Sequence, residues 1–105
     1  MKRVEQIKCI YSISCPISNE VVYVGATKDA KIRFYNHLKA YSDSSLAKWV
    51  KCLRINGLVP IIIPIEEITH TDDLKRSERK WIKYYRSKNF ILFNGYFRNG
   101  EQFIK

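Results

Sequence analysis

Two short segments rich in Ile, Val and Tyr, Lys8 to Ser14 and Val21 to Thr27, most constrain how this chain can fold. Between them lies Cys15-Pro16-Ile17-Ser18-Asn19, whose Pro, Ser and Asn favour a turn. So short a connection allows antiparallel pairing and excludes a parallel crossover, so the pair is expected to form a hairpin. A two-stranded hairpin cannot stand alone in water, and the rest of the chain has to supply a third strand or helices that cover it. Asp29 is placed to cap a helix running to about Tyr41, and Ser42-Asp43-Ser44-Ser45 to break it and cap a second helix, Leu46 to Asn56, ending at Gly57. Leu46, Trp49, Val50 and Leu53 form the apolar stripe of that second helix. Ile61 to Ile68 reads as a third strand, with Pro64 confining it to a sheet edge or a bulge. Thr71, Asp72 and Asp73 open a third helix that reaches about Lys88, acids at its positive end. Ile91 to Lys105 reads as a short extended tail. The expected architecture is α+β: a small three-stranded antiparallel sheet flanked by three helices, in one domain spanning residues 1–105 with a core of about 7–96 and a short extension, 97–105.

Charge narrows the function. Lys and Arg number 19 against 10 Asp and Glu, a formal charge of +9 on 105 residues, an excess that points to a polyanionic partner. Cys9, Cys15 and Cys52 match no zinc-site spacing and read as reduced cysteines of a cytoplasmic protein. No apolar run reaches membrane-spanning length; the longest candidate, Leu58 to Ile65, is broken by Pro60 and Pro64.

Several residues break the rules of a plain scaffold. On the third helix, at about 100° per residue, Leu74, Trp81, Ile82 and Tyr85 share an arc with Glu78 at its centre. A carboxylate on an apolar face needs a cation, a hydrogen-bond donor or a metal, so Glu78 is either half of a structural salt bridge or a metal ligand at the floor of a cleft. Arg33 and His37, four residues apart, share one side of the first helix beside Phe34, Leu38 and Tyr41. A hairpin centred on Ile17 would set Tyr11 directly across from Tyr23, either as a cross-strand aromatic pair or as two phenols beside the Arg and Glu.

These residues carry a resemblance. Cys9-Ile10-Tyr11, eleven residues, then Tyr23-Val24-Gly25 resembles the two-part signature of GIY-YIG nucleases. Tyr23 to Asp29, followed by Arg33 and His37, is similar to that family's strand-to-helix passage; Glu78 before Trp81-Ile82 resembles its metal-binding glutamate, and Phe93-Asn94 its closing pair. The resemblance covers about residues 7–96 and is greatest to the catalytic domain of phage homing endonucleases. Two departures stand out: Cys9 replaces the usual first glycine, and Asp43-Ser44-Ser45 occupies the region where the homing-enzyme relatives carry a second histidine.

The resemblance implies a divalent-metal-dependent DNA endonuclease, nicking or cutting both strands, of phage or mobile-element origin. It implies one Mg²⁺ or Mn²⁺ held by Glu78, waters and substrate phosphate, since no second carboxylate is placed to share a cation. Arg33 would pair with the scissile phosphate, its forked donors matching phosphate oxygens. Tyr11 would activate or orient the attacking water with Tyr23 hydrogen-bonding nearby, and His37 is the alternative base or a second phosphate contact. Asn94 would stabilise the site, and Gly25 would let the second strand leave the sheet close to substrate. Lys28, Lys48, Lys51, Arg54, Arg76 and Arg79 are the expected phosphate contacts. Sequence specificity would come from the chain's own loops, a homodimer or a separate specificity protein. The alternatives are a catalytically inactive DNA- or RNA-binding module on the same fold, and a small RNA-binding protein of the translation machinery, which has no account of Glu78.

Overall fold

A computed structural model describes residues 7–40 and 42–94. The elements follow the order β1 (Cys9–Ser14), β2 (Val21–Thr27), α1 (Ala30–Lys39), α2 (Ser45–Ile55), β3 (Ile61–Glu67), a single 3-10 turn (Thr71–Asp73) and α3 (Leu74–Ser87). The sheet is antiparallel throughout and ordered β2-β1-β3, so the expected three-stranded α+β architecture is observed. No described helix is long and apolar enough to cross a membrane.

Alternation along β1 divides the core into two layers. Cys9, Tyr11 and Ile13 pack with Ala30, Leu46, Ala47 and Val50 of α1 and α2 on one face. Ile10 packs with Val21, Val24, Ile68, Leu74 and Ile82 on the other, under α3. Tyr11, Ile10 and Ile13 are fully buried, because β1 is central and covered on both sides. The second-helix stripe behaves as expected: Leu46, Val50 and Leu53 are buried and Trp49 half-buried.

Caps delimit the helices. The Asp29 side chain accepts from the Ile32 amide and that of Ser44 from the Ala47 amide, each closing a first turn. The first helix ends at Lys39 because Ala40 adopts a left-handed φ of 51°, two residues short of the expected end; Tyr41 lies outside the described residues. Pro64 sits on an edge strand and at a register shift between Ile10 and Tyr11 of β1, so both readings of that proline hold. In the expected tail, Ile91–Asn94 forms no strand, and 95–105 lies outside the described residues.

The hairpin register corrects one expectation. Tyr11 faces Gly25, and Tyr23 faces Ile13. The loop is closed by Cys15 and Glu20, whose amide and carbonyl meet at 3.0 Å, which moves the turn centre half a residue beyond Ile17. A bulge opposite Ile13 and Ser14 then absorbs Val22 and moves the pairing on again. The two shifts together slide Tyr23 two positions along, leaving it on the same face as Tyr11 but diagonal to it, with ring centroids 6.3 Å apart.

Candidate active site

The directly opposed residue, Gly25, explains how the Tyr11 ring, fully buried on the central strand, fits beneath β2. A Cβ built on Gly25 would come within 2.8 Å of Tyr11 Cε1 and nearer still to Cζ and the hydroxyl. The Tyr11 ring therefore packs against the Gly25 backbone, with its hydroxyl among the nearest atoms. Gly25 stands mid-strand rather than where β2 leaves the sheet, and its missing side chain makes room for the Tyr11 ring.

The Tyr11 hydroxyl meets His37 Nε2 at 2.7 Å. Burial, then the neighbouring Arg33 guanidinium, lowers the His37 pKa from 6.5 to about 4, so the ring is neutral at physiological pH; in the tautomer protonated on Nδ1, Nε2 accepts from the phenol. Burial and the nearby Tyr23 push the Tyr11 phenol well above its usual range, while the neighbouring Arg33 guanidinium pulls the other way. Tyr23 is also raised, first by burial and then by the Glu78 carboxylate, and its ring lies 5.6 Å from that of His37. Phe34 holds the Tyr11 ring edge-on at 5.2 Å.

Glu78 approaches from the other side of the sheet. It is half-buried on α3, and the ion pairs formed among the described residues, Arg76 with Asp73 and Lys80 with Glu66, do not include it. Burial raises its pKa despite the opposing pull of Lys75, Arg33 and Arg79. Glu78 and Arg33 line one cleft of about 780 Å³ running past the outside of β2, with Lys28, Asn36 and Lys75 also on its walls. An under-solvated carboxylate facing a cleft suits a hard divalent cation. Among the described residues no group of three acidic, His or Cys side chains could hold one, although Asp29 and Asp72 line the same cleft, so the fit is to a site in which few ligands are protein carboxylates and the rest are water and substrate oxygens.

Asn94 is not among the residues that line the cleft. Its Oδ1 accepts from the Val24 amide at 3.0 Å and its Nδ2 donates to the Val24 carbonyl at 2.7 Å, while the Phe93 amide donates to the Val22 carbonyl. The side chain completes the free edge of β2 as a further strand would, directly beside Tyr23 and Gly25.

The basic residues divide. Lys28 lines the cleft; Arg76 and Arg79 line an adjoining groove of about 670 Å³ with Lys75, Lys80 and Lys83. Lys48 and Lys51 are exposed on α2, a helix on the opposite face of the sheet from α3. Arg54 donates to the Leu38 carbonyl at 2.8 Å and so ties α2 to the last turn of α1. Asn36 and Lys75 escaped the sequence reading. Their signal was helical spacing, three residues after Arg33 and three before Glu78, but neither residue type is anomalous on an exposed face. Cys9, Cys15 and Cys52 are free thiols.

Comparison with known proteins agrees with this geometry. Residues 7–91 match the family described as the GIY-YIG catalytic domain. The fold is similar to that of a point mutant of the catalytic domain of intron endonuclease I-TevI: TM-score 0.62, 29% identity, 81% of this chain and 90% of that one. It is also similar to the catalytic domain of homing endonuclease I-TevI: TM-score 0.56, 31% identity, 80% of this chain and 94% of that one. No protein with a curated description matches the sequence significantly.

Proposed function

The chain belongs to the GIY-YIG family of nucleases, and from that premise we propose that it is a DNA endonuclease dependent on one Mg²⁺ or Mn²⁺ held at Glu78. The observation that carries the reading is that Arg33, beside the Tyr11–His37 hydrogen bond, lines the same cleft as Glu78. The likeness to an intron endonuclease domain supports an origin in a phage or other mobile element.

Arg33 pairs with the scissile phosphate and neutralises the charge that builds on its oxygens as the pentavalent state forms. Water attacks phosphorus while its proton passes to the Tyr11 oxygen. The phenol's own proton passes at the same time to His37 Nε2, leaving a neutral phenol and an imidazolium. The phenol need not ionise beforehand, which its raised pKa forbids at neutral pH. His37 alone is a weak base, but one cause of its weakness is Arg33. A phosphate seated on Arg33 cancels that repulsion, so His37 becomes a better proton acceptor only once substrate is in place. A divalent cation, when bound, supplies Lewis-acid charge to the phosphoryl group and the leaving oxygen. Tyr23 packs the His37 ring in position, and Asn94 holds the β2 edge that carries Gly25 and Tyr23.

The test is incubation of supercoiled plasmid with Mg²⁺ or with EDTA, beside Arg33→Ala and Glu78→Ala. Metal-dependent appearance of nicked circles before linear product, absent in both variants, is the expected result. Full cleavage by either variant refutes the site. DNA binding without cleavage by the wild-type protein would instead make this fold a binding module.

A further inference from the structure

A second cavity opens on the far side of Arg33; His37 and Tyr23 stand on its wall, and the reaction as described puts nothing in the space beyond them. It holds about 530 Å³ between α1 and α2, and it shares Arg33 and Asn36 with the cleft that Glu78 lines. The two spaces are one groove pinched at the guanidinium. The room exists because the facing backbone carries small residues: Ala40, Ser42, Ser44, Ser45 and Ala47 all line it, where larger side chains would close the gap between the helices. Its remaining walls are aromatic, polar and, at Leu46 and Val50, aliphatic. Tyr23, Phe93 and His37 supply rings and the serines hydroxyls; no described carboxylate lines it. Phe93 is held there by its ring contact with Trp49, centroids 5.7 Å apart, and by the hydrogen bond its amide donates to the Val22 carbonyl.

We propose that this cavity seats the base of one nucleotide adjoining the scissile phosphate, turned out of the DNA stack. The inference rests on the nuclease reading of Arg33. A phosphate bound by that guanidinium has its neighbouring nucleoside within one backbone step of the cavity mouth. Paired bases in a duplex point away from such a pocket, so only an unstacked base can enter. The lining suits one: a flat ring system takes ring contacts from Tyr23 and Phe93, and its polar edge takes hydroxyls, without a carboxylate to repel the attached phosphate. The volume lies in the range of ordinary small-molecule sites, large enough for a purine or a pyrimidine. Serine hydroxyls donate and accept alike, so the cavity is expected to tolerate all four bases and to select on deformability of the step rather than on base identity.

The experiment uses the full chain on a duplex oligonucleotide whose cut site has been mapped with wild-type protein and Mg²⁺. Ser45→Trp fills the cavity, and each protein is assayed on the intact duplex and on duplexes carrying an abasic residue on either side of the cut. Ser45→Trp is expected to lower kcat/KM on intact duplex by about tenfold, the scale of a lost base–aromatic contact. An abasic residue at one of the two positions is expected to abolish most of that difference. An equal loss on intact and abasic duplexes, or no loss, overturns the inference while leaving the nuclease reading in place. Failure of the wild-type protein to cut any DNA overturns that reading and the inference with it. Should Ser45→Trp not fold, as judged by circular dichroism, Ser42→Trp in the interhelical loop carries the same comparison.

Discussion

Replacing Gly25 with alanine adds one methyl group where the Tyr11 ring already lies, and the consequence can be worked from the geometry. The new Cβ would overlap Tyr11 Cζ and its hydroxyl and approach Cε1 to 2.8 Å, well inside van der Waals contact. Gly25 does not have a positive φ, so the backbone tolerates alanine and the conflict is purely between side chains. Tyr11 is 0% exposed and cannot swing into solvent. Its ring has to tilt against Phe34 or the sheet has to spread, an overpacking cost of about 1–3 kcal/mol. Against this, alanine restricts the unfolded chain and returns about 0.4–1 kcal/mol. With Tyr11→Leu the offending atoms are gone, and Gly25→Ala should then be neutral or stabilising. A double-mutant cycle should therefore show a coupling of about 2 kcal/mol between the two positions. Urea unfolding of the four proteins, followed by tryptophan fluorescence, measures it. The same loss from Gly25→Ala in both backgrounds would refute the packing argument. Because the tilt also draws the phenol off His37 and Arg33, Gly25→Ala with Tyr11 present should lose plasmid cleavage under conditions where it remains folded.

Other consequences are open to direct measurement. The unfolded chain takes up a proton on His37 near pH 6.5 and the folded protein only near pH 4, so this residue's contribution to stability is whole above 6.5 and declines as pH falls towards 4. His37→Gln should flatten that decline relative to wild type, and unchanged pH dependence would contradict the burial of a neutral ring. In NMR titrations, inorganic phosphate or a phosphodiester bound in the cleft should raise the His37 pKa; no change would remove Arg33 as its link to substrate. Asn94→Ala forfeits both hydrogen bonds to Val24 and should cost about 1–3 kcal/mol, with faster amide exchange at Val24. Lys28→Ala and Lys75→Ala, in the cleft, should each lower the salt dependence of DNA binding by about one phosphate contact in anisotropy titrations. Lys48→Ala and Lys51→Ala, on α2 behind the sheet, should lower it less.

Much of the molecule was legible before any coordinates because short-range chemistry determines it. The two strands, the Ser44 and Asp29 caps and the second-helix stripe follow from local propensity, capping and periodicity, which act within a few residues. Pro64 was placed correctly for the same reason: a residue without an N–H can occupy only a few positions in a sheet. The register was misplaced because it depends on how a loop closes and where a bulge absorbs one residue, and the sequence of the loop does not encode either.

The candidate site shows the same division. Tyr11, Arg33, His37 and Glu78 stood out as residue types at odds with their surroundings, and a family resemblance joined them. That much belongs to the sequence alone, because helical and strand periods say which residues share a face. Only the tertiary structure decided that Tyr11 packs on Gly25 with its hydroxyl 2.7 Å from His37 Nε2, that the Asn94 amide bonds the Val24 backbone, and that Arg54 serves the α1–α2 junction. It likewise decided that Arg33 stands between two cavities rather than at the end of one. The reason is physical: these contacts join residues far apart in the chain, and their geometry is determined by how helices and sheet pack, which no local period records.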